Sequence, residues 1–559
     1  MLFYLLLLAA HASLLRLPYF WDEAGYYIPA ARDLLLTGSL IPHSTISNAH
    51  PPLVLAYLAL AWKIFGYSTL VTRITMLSVA AFSLLGFFRL AHRVANTEVA
   101  IASTLCTAIY PVFFAQSSLA QVDLAAAGLI FWGLLSYIDH RPWSTAFWFT
   151  AAVLAKETAI VAPLALFVWE LVAKSFWRSS VLPKEEETNR EGHDFSRARP
   201  HRQTWALAPE DFALLFPLLP LILWFTCHYL RTGYVFGNPE FFRYNVQATV
   251  HPFRIFLATG LRLWQVFGYL NMFVLTGAAA CAMWLPPLAD RNQERPRIAL
   301  PIQLSFAGVI FSYILAMAMI GGAELARYML PAIPLLIILC VSTLWRRVPY
   351  FRLIIAIVAA AFIAALVTNP PYGFSLEDNL AYRDYIVLHQ RAEEYAETHY
   401  PSARVLTAWP ASDELTRPYL GYIARPMAVV RIENFTAENV FAAAQLPARY
   451  DVALVFSTKY EPRHRWFGRS ALWQKWKTEY FGYHRDVPAA VAAQILGGQL
   501  VYEQQIKGQW VGVIEMERAE EAHTISDTKM PGILANSGQS CFSARPLERS
   551  QLASPWGLW

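Results

Sequence analysis

Charge is scarce in this chain. Only 15% of its 559 residues are Asp, Glu, Lys or Arg, against 56% hydrophobic and 14% aromatic, a balance too apolar for an ordinary water-soluble domain. Cysteine is scarce as well: Cys106, Cys227, Cys281 and Cys340 fall in apolar runs and Cys541 lies near the C-terminus. No CxxC spacing occurs, which argues against a disulfide framework or a cysteine zinc site. A continuous basic patch is also missing, the net charge of +5 being spread over short loops, so nucleic acid is not an expected partner. No internal repeat is evident, against an inverted-repeat transporter. The apolar N-terminus lacks the basic start and small-residue cleavage site of a signal peptide and reads as a retained first span.

What the chain has in plenty is apolar runs of bilayer-crossing length, roughly 17–25 residues each. About eleven spans are expected, near 3–20, 68–91, 98–116, 121–138, 143–158, 159–173, 211–230, 260–285, 299–320, 329–345 and 353–368. The basic loops fix the orientation. His92-Arg93, His140-Arg141, the stretch 174–210 with Lys184, Arg190, Arg197, Arg199 and Arg202, then Arg291, Arg295 and Arg297, and Arg346, Arg347 and Arg352 share one side, which the positive-inside rule makes cytoplasmic. Residues 21–67, the turn at Gln116–Gln121, the Lys156-Glu157 junction, residues 231–259 and Gly321–Tyr328 are then external. Leu53–Phe65, apolar but short and bracketed by Pro51-Pro52 and Gly66, reads as a helix at the external surface.

From about residue 369 the chain reads as soluble. Arg404–Trp409 and Asp451–Ser457 look like buried strands, Leu380–Thr398 and Thr436–Gln445 like helices, and Leu500–Glu515 like a hairpin turning at Gly508. The expected fold class is an α-helical multi-pass membrane protein of about 11 transmembrane helices with a C-terminal external soluble α/β domain. Its divisions fall at 1–368, 369–517 and a disordered tail at 518–559.

Acids at the external side stand out against this background. Asp22-Glu23 follows the first span directly, and Asp123 opens the fourth, where an unpaired carboxylate is costly and calls for a partner. The same residues also suit helix starts, through capping and the helix dipole. His50-Pro51-Pro52 puts an imidazole near the surface, either solvated there or set to donate to a phosphate or orient a carboxylate. Lys156 and Glu157 point about 100° apart on a helix, so at least one needs a partner elsewhere; Lys156 suits a phosphate or snorkels to the interface. Glu324 and Arg327 stand i to i+3, either as a local ion pair or with Arg327 forking onto phosphate oxygens beside Tyr328. Arg243-Tyr244 and His251 are weaker candidates of the same kind. Trp409, Trp466, Trp473, Trp476 and Trp510 suit either sugar stacking or core packing.

The ordered set of Asp22-Glu23, His50-Pro51-Pro52, Asp123, Lys156 and Arg327-Tyr328 with Pro331 resembles the GT-C glycosyltransferases, within them the protein mannosyltransferase and aminoarabinose transferase branch. The resemblance covers about 370 residues in span order and loop placement. It implies a GT-C fold in the plasma (inner) membrane and transfer of a sugar from a polyprenyl-phosphate carrier to a glycan, lipid or protein acceptor at the external face, with inversion. Asp22 would then be general base or acceptor-orienting group and Asp123 the second acid. Lys156 and Arg327 would bind the carrier phosphate, with Glu23, His50, Glu324 and Tyr328 also contacting substrate. The aminoarabinose branch usually has lysine where His50 stands, so its donor specificity does not carry over. Relatives with oligosaccharide donors hold a divalent metal on loop acids, a role open to Asp22, Glu23 and Asp123. The competing reading is a transporter or flippase of a lipid-linked saccharide, which calls for ionisable residues at mid-bilayer rather than at span ends.

Overall fold

The computed structural model describes residues 1–180, 209–239, 251–290, 293–320, 323–446, 450–462 and 470–516. Most of the expected cytoplasmic loop, Arg243-Tyr244, Trp466, Cys541 and the tail lie outside the described residues.

Helices fill the first two thirds, and local chemistry sets their ends. Ser68 caps Thr69–Val94 by accepting from the Val71 N–H at 3.1 Å, and Asn96 caps Thr97–Ile109 by accepting from the Val99 N–H at 3.0 Å. Proline divides the expected span 98–116 at Tyr110-Pro111, beyond which a short helix runs Pro111–Gln116. The span expected at 260–285 begins earlier, at Pro252, and breaks between Phe267 and Met272, where Leu270 and Asn271 take φ of 47° and 67°. Val161–Ser180 runs on into the stretch expected to be loop. The first span is cut short at Leu2–Ala10, because the His11 ring turns back to bond the Leu7 carbonyl at 2.9 Å.

Among the described residues, Thr69–Val94, Asp211–Thr232, Pro252–Ala282 and Leu300–Ile320 are long and apolar enough to cross a membrane. Leu53–Phe65, Thr97–Ile109, Asp123–Ile138 and Phe351–Val367 are apolar but shorter. At 1.5 Å per residue, such helices reach only about 20–25 Å, less than the ~30 Å hydrocarbon core. Glycine lets the helices meet closely: a Cβ on Gly128 would lie 1.9 Å from Ser83 Oγ, and one on Gly133 2.8 Å from Phe149.

The C-terminal part is an α/β unit with one five-stranded sheet, ordered Ala428–Ile432, Arg404–Ala408, Val452–Phe456, Gln509–Met516, Gly498–Ile506. The first three strands are parallel (Leu406 opposite Val430 and Ala453) and the last two antiparallel (Leu454 opposite Val513, Ile506 opposite Gln509). The hairpin turns at Lys507-Gly508, both at positive φ. The helix Ala381–His399 packs on this sheet's hairpin side. Ala428–Ile432 was not expected as a strand; it is an edge strand with exposed Arg431, so its apolar alternation is weak. The unit docks on the first loop: Tyr422 Oη donates to the Tyr19 carbonyl at 3.0 Å, and the Trp409 ring meets Trp21 edge-on at 5.3 Å. Trp409 is core here, buried at this junction.

Candidate active site

Helix ends deliver the charged side chains. Asp22 precedes a π-turn, Glu23–Tyr27, and makes no cap bond. Asp123 opens the helix Asp123–Ile138, and Lys156 stands in extended conformation (φ −154°) where Pro142–Ala155 stops and the turn Glu157–Ile160 begins. Arg327 sits in the 3-10 turn Ala326–Met329 ahead of Ile333–Arg347. At the opposite helix ends stand Arg93 with Asp139, and Arg346 with Glu294.

Arg327 gathers three acids. Its Nη2 donates to Asp22 Oδ2 at 2.5 Å, its Nη1 to Glu377 Oε2 at 2.5 Å, and its Nε lies 3.3 Å from Asp123 Oδ2. Lys156 Nζ donates to the other oxygen of Asp123 and lies 3.9 Å from the centre of the Tyr328 ring. Gln121 Nε2 adds a bond to Glu377 at 2.8 Å. Burial pushes Glu377 up to about 8 against the lowering pull of Arg327.

A cavity of about 420 Å³ opens beside this cluster. Asp22, Tyr27, His50, Lys156, Arg327 and Tyr328 line its polar end; Val161, Leu221, Phe225, Phe236, Met317 and Ile320 line the rest. Asp22 is only 5% exposed, and its Oδ1 has no hydrogen-bond partner among the described residues. His50 Nδ1 pairs with Glu157 Oε2 at 2.8 Å, so Lys156 and Glu157 each take a different partner, as their directions require.

Two expected substrate contacts lie elsewhere. Glu23 is fully buried, with its oxygens taken by the Arg73 guanidinium, the Phe20 N–H at 2.8 Å and the Ala120 N–H at 2.5 Å. Arg73 in turn donates to the carbonyls of Pro18 (2.8 Å) and Ser118 (2.9 Å). Glu23 is thus saturated and fixes the turn that carries Asp22. Glu324 does not pair with Arg327: it stands before the 3-10 turn and pairs with Arg254 Nη2 at 3.3 Å and Arg262 Nε at 2.9 Å. His251 packs at 5.2 Å on the Tyr480 ring, away from the cavity. A divalent metal shared by Asp22, Glu23 and Asp123 does not fit this arrangement, since Glu23 has both oxygens taken by Arg73 and backbone N–H groups and does not line the cavity.

Glu377 and Arg73 were missed. The signal for Glu377 was present, because Glu377-Asp378 is an acidic pair soon after the last apolar run, as Asp22-Glu23 is directly after the first.

The family model described as dolichyl-phosphate-mannose-protein mannosyltransferase matches residues 49–184, the stretch that contains His50, Asp123 and Lys156. No curated protein matches the chain by sequence. Two structures of ArnT from Cupriavidus metallidurans, one bound to undecaprenyl phosphate and one apo, share the fold at 14% identity and a TM-score of 0.50. These matches cover 92% and 91% of this chain and 97% of that one. The archaeal oligosaccharyltransferase AglB from Archaeoglobus fulgidus, in complex with an inhibitory peptide and a dolichol-phosphate, aligns at 12% identity and a TM-score of 0.42 over 91% of this chain and 74% of its own. The family match over residues 49–184 and the fold shared with ArnT along most of the chain support the resemblance to the GT-C glycosyltransferases read from the sequence.

Proposed function

We propose that this protein is an inverting glycosyltransferase that moves a sugar from a polyprenyl-phosphate donor to an acceptor hydroxyl at the external face of the plasma (inner) membrane. One observation carries the reading: Asp22 lines the cavity with one carboxylate oxygen held by Arg327 and the other without a hydrogen-bond partner among the described residues. An alcohol is a poor nucleophile, and a carboxylate within hydrogen-bond reach takes its proton as the bond forms. The acceptor oxygen attacks the anomeric carbon from the face opposite the phosphate. The carbon–oxygen bond to phosphate breaks, and its electron pair leaves with the carrier. Lys156 has three N–H donors, of which Asp123 occupies one, so it can also meet the leaving phosphate; Arg327 adds charge from behind Asp22. The apolar part of the cavity suits the first units of a polyprenyl chain. Charges at helix ends on one side of the bundle favour this reading over a translocation path, where they would stand at mid-bilayer.

Release or transfer of sugar from labelled polyprenyl-phosphate sugars by purified protein tests it. Asp22→Asn is expected to lower turnover by about 10²–10⁴-fold with the melting temperature retained, and Lys156→Ala to weaken donor use. A wild type that binds the carrier without cleaving it, and is matched by Asp22→Asn, would overturn the catalytic assignment in favour of a transporter of lipid-linked saccharide.

A further inference from the structure

Away from the cavity, the C-terminal unit buries a second set of ionisable side chains. His389 and Glu393 stand one turn apart on one face of the helix Ala381–His399, and Glu414 ends the short helix Ala411–Glu414 facing them. His389 Nδ1 lies 2.7 Å from Glu414 Oε2 and 3.4 Å from Glu393 Oε1, and the three donor atoms all fall within 4.8 Å of one another. Each residue is at most 1% exposed. Beyond their contacts with one another, both oxygens of Glu393, Oε1 of Glu414 and Nε2 of His389 have no hydrogen-bond partner among the described residues. Among the described residues no lysine or arginine forms an ion pair with either glutamate. Two carboxylates and one imidazole at the centre of a core are a poor match for one another, because even a protonated imidazole leaves a buried negative charge unless the two carboxyl groups share a proton.

We propose that His389, Glu393 and Glu414 bind one divalent cation, zinc by the chemistry of the donor set. A neutral imidazole and two carboxylates balance a doubly charged ion, and nitrogen with oxygen donors suits zinc better than the all-oxygen shells of calcium or magnesium. Zinc–ligand bonds of about 2.0–2.2 Å place tetrahedral ligand atoms roughly 3.3–3.6 Å apart, within a small side-chain rotation of the spacing seen. The ring packing explains what such an ion would brace. Tyr385 stacks on His389 at 3.9 Å and meets Phe20 and Trp21 edge-on at 5.2 and 5.5 Å, directly before Asp22 in the chain. The cation ties the helix Ala381–His399 to the segment that carries Trp409 and so stiffens the support behind the candidate base. It takes no part in the transfer itself.

The test is metal content and thermal unfolding of the purified full chain after chelation and re-equilibration with zinc. The expected result is a stoichiometric zinc ion and a melting temperature that falls on chelation and returns with zinc. Glu393→Gln and His389→Gln should each weaken binding by at least about 10- to 100-fold, while Asp22→Asn keeps the ion and so separates this site from the cavity. Zinc retained by both ligand variants would overturn the proposal. So would a wild type whose zinc content and melting temperature ignore chelator and metal, which would leave the two carboxylates sharing a proton. The wild-type measurement decides even where a ligand variant fails to fold.

Discussion

Adjacent acids here have opposite duties. Glu23 spends both oxygens on Arg73 and backbone N–H groups, whereas Asp22 keeps one oxygen at the cavity without a hydrogen-bond partner among the described residues. Glu23→Gln is expected to cost about 3–5 kcal/mol, because it leaves the buried Arg73 charge without its counterion. Thermal unfolding checks this, with the donor KM of the folded fraction unchanged. A pH dependence follows from Glu377, whose folded value of about 8 stands above the ordinary 4.5 because of burial. Between those values only the folded chain keeps the proton, so stability falls as pH rises through that window and levels off above it. Burial lifts Asp378 to about 7 from 3.8 and adds slope in the same direction at lower pH. Melting temperatures from pH 5 to 9 should show a shallower decline in Glu377→Gln than in wild type; equal slopes would contradict the assignment. Asp22, Asp123, Lys156 and Arg327 were readable in the sequence because a charge in so apolar a chain needs a reason. Arg73 was not, because a single arginine in the first turns of a helix looks the same whether it faces headgroups or the core.

At the scale of elements, small residues decide how near the site-bearing segments come. A Cβ on Gly25 would lie 2.5 Å from the Trp409 ring. Gly25→Ala is therefore expected to cost about 1–3 kcal/mol through overpacking and to lower turnover by shifting the turn that holds Asp22. Trp409→Ala in the same chain should recover part of the loss, a non-additivity that melting and activity measurements together can detect. The hairpin at Gly508, the buried strands and the helix Leu53–Phe65 were legible from period and turn residues. Breaks at Pro111 and at Leu270-Asn271 were not placed, although their residues were in view, since hydropathy alone does not distinguish an interrupted apolar run from a continuous one. Gly25 is legible only with Trp409 already folded onto it.

Across the whole molecule, Asp22, Asp123 and Glu377 come from the start, the middle and the far end of the helical part and meet on one guanidinium. A chain ending at Thr368 lacks Glu377 and Trp409, and is expected to insert in membranes yet transfer nothing in the labelled-donor assay; retained turnover would show that the C-terminal unit is dispensable to the site. The alternation along the chain of acids at one set of helix ends with bases at the other was readable without coordinates. The meeting point was not, because it depends on pairings such as that of Glu324 with Arg254 and Arg262 rather than Arg327. The same convergence governs how the protein is made. Asp22 and Arg327 are 305 residues apart, which at ~5–20 residues per second separates their synthesis by about 15–60 s. Through that interval the growing chain carries Asp22 with no Arg327 to receive it, so that carboxylate must stay wetted at the membrane face or be sheltered by the insertion machinery. A ribosome that stalls before residue 327 releases a half-built site, and the length of that wait is set by where one arginine falls in the sequence.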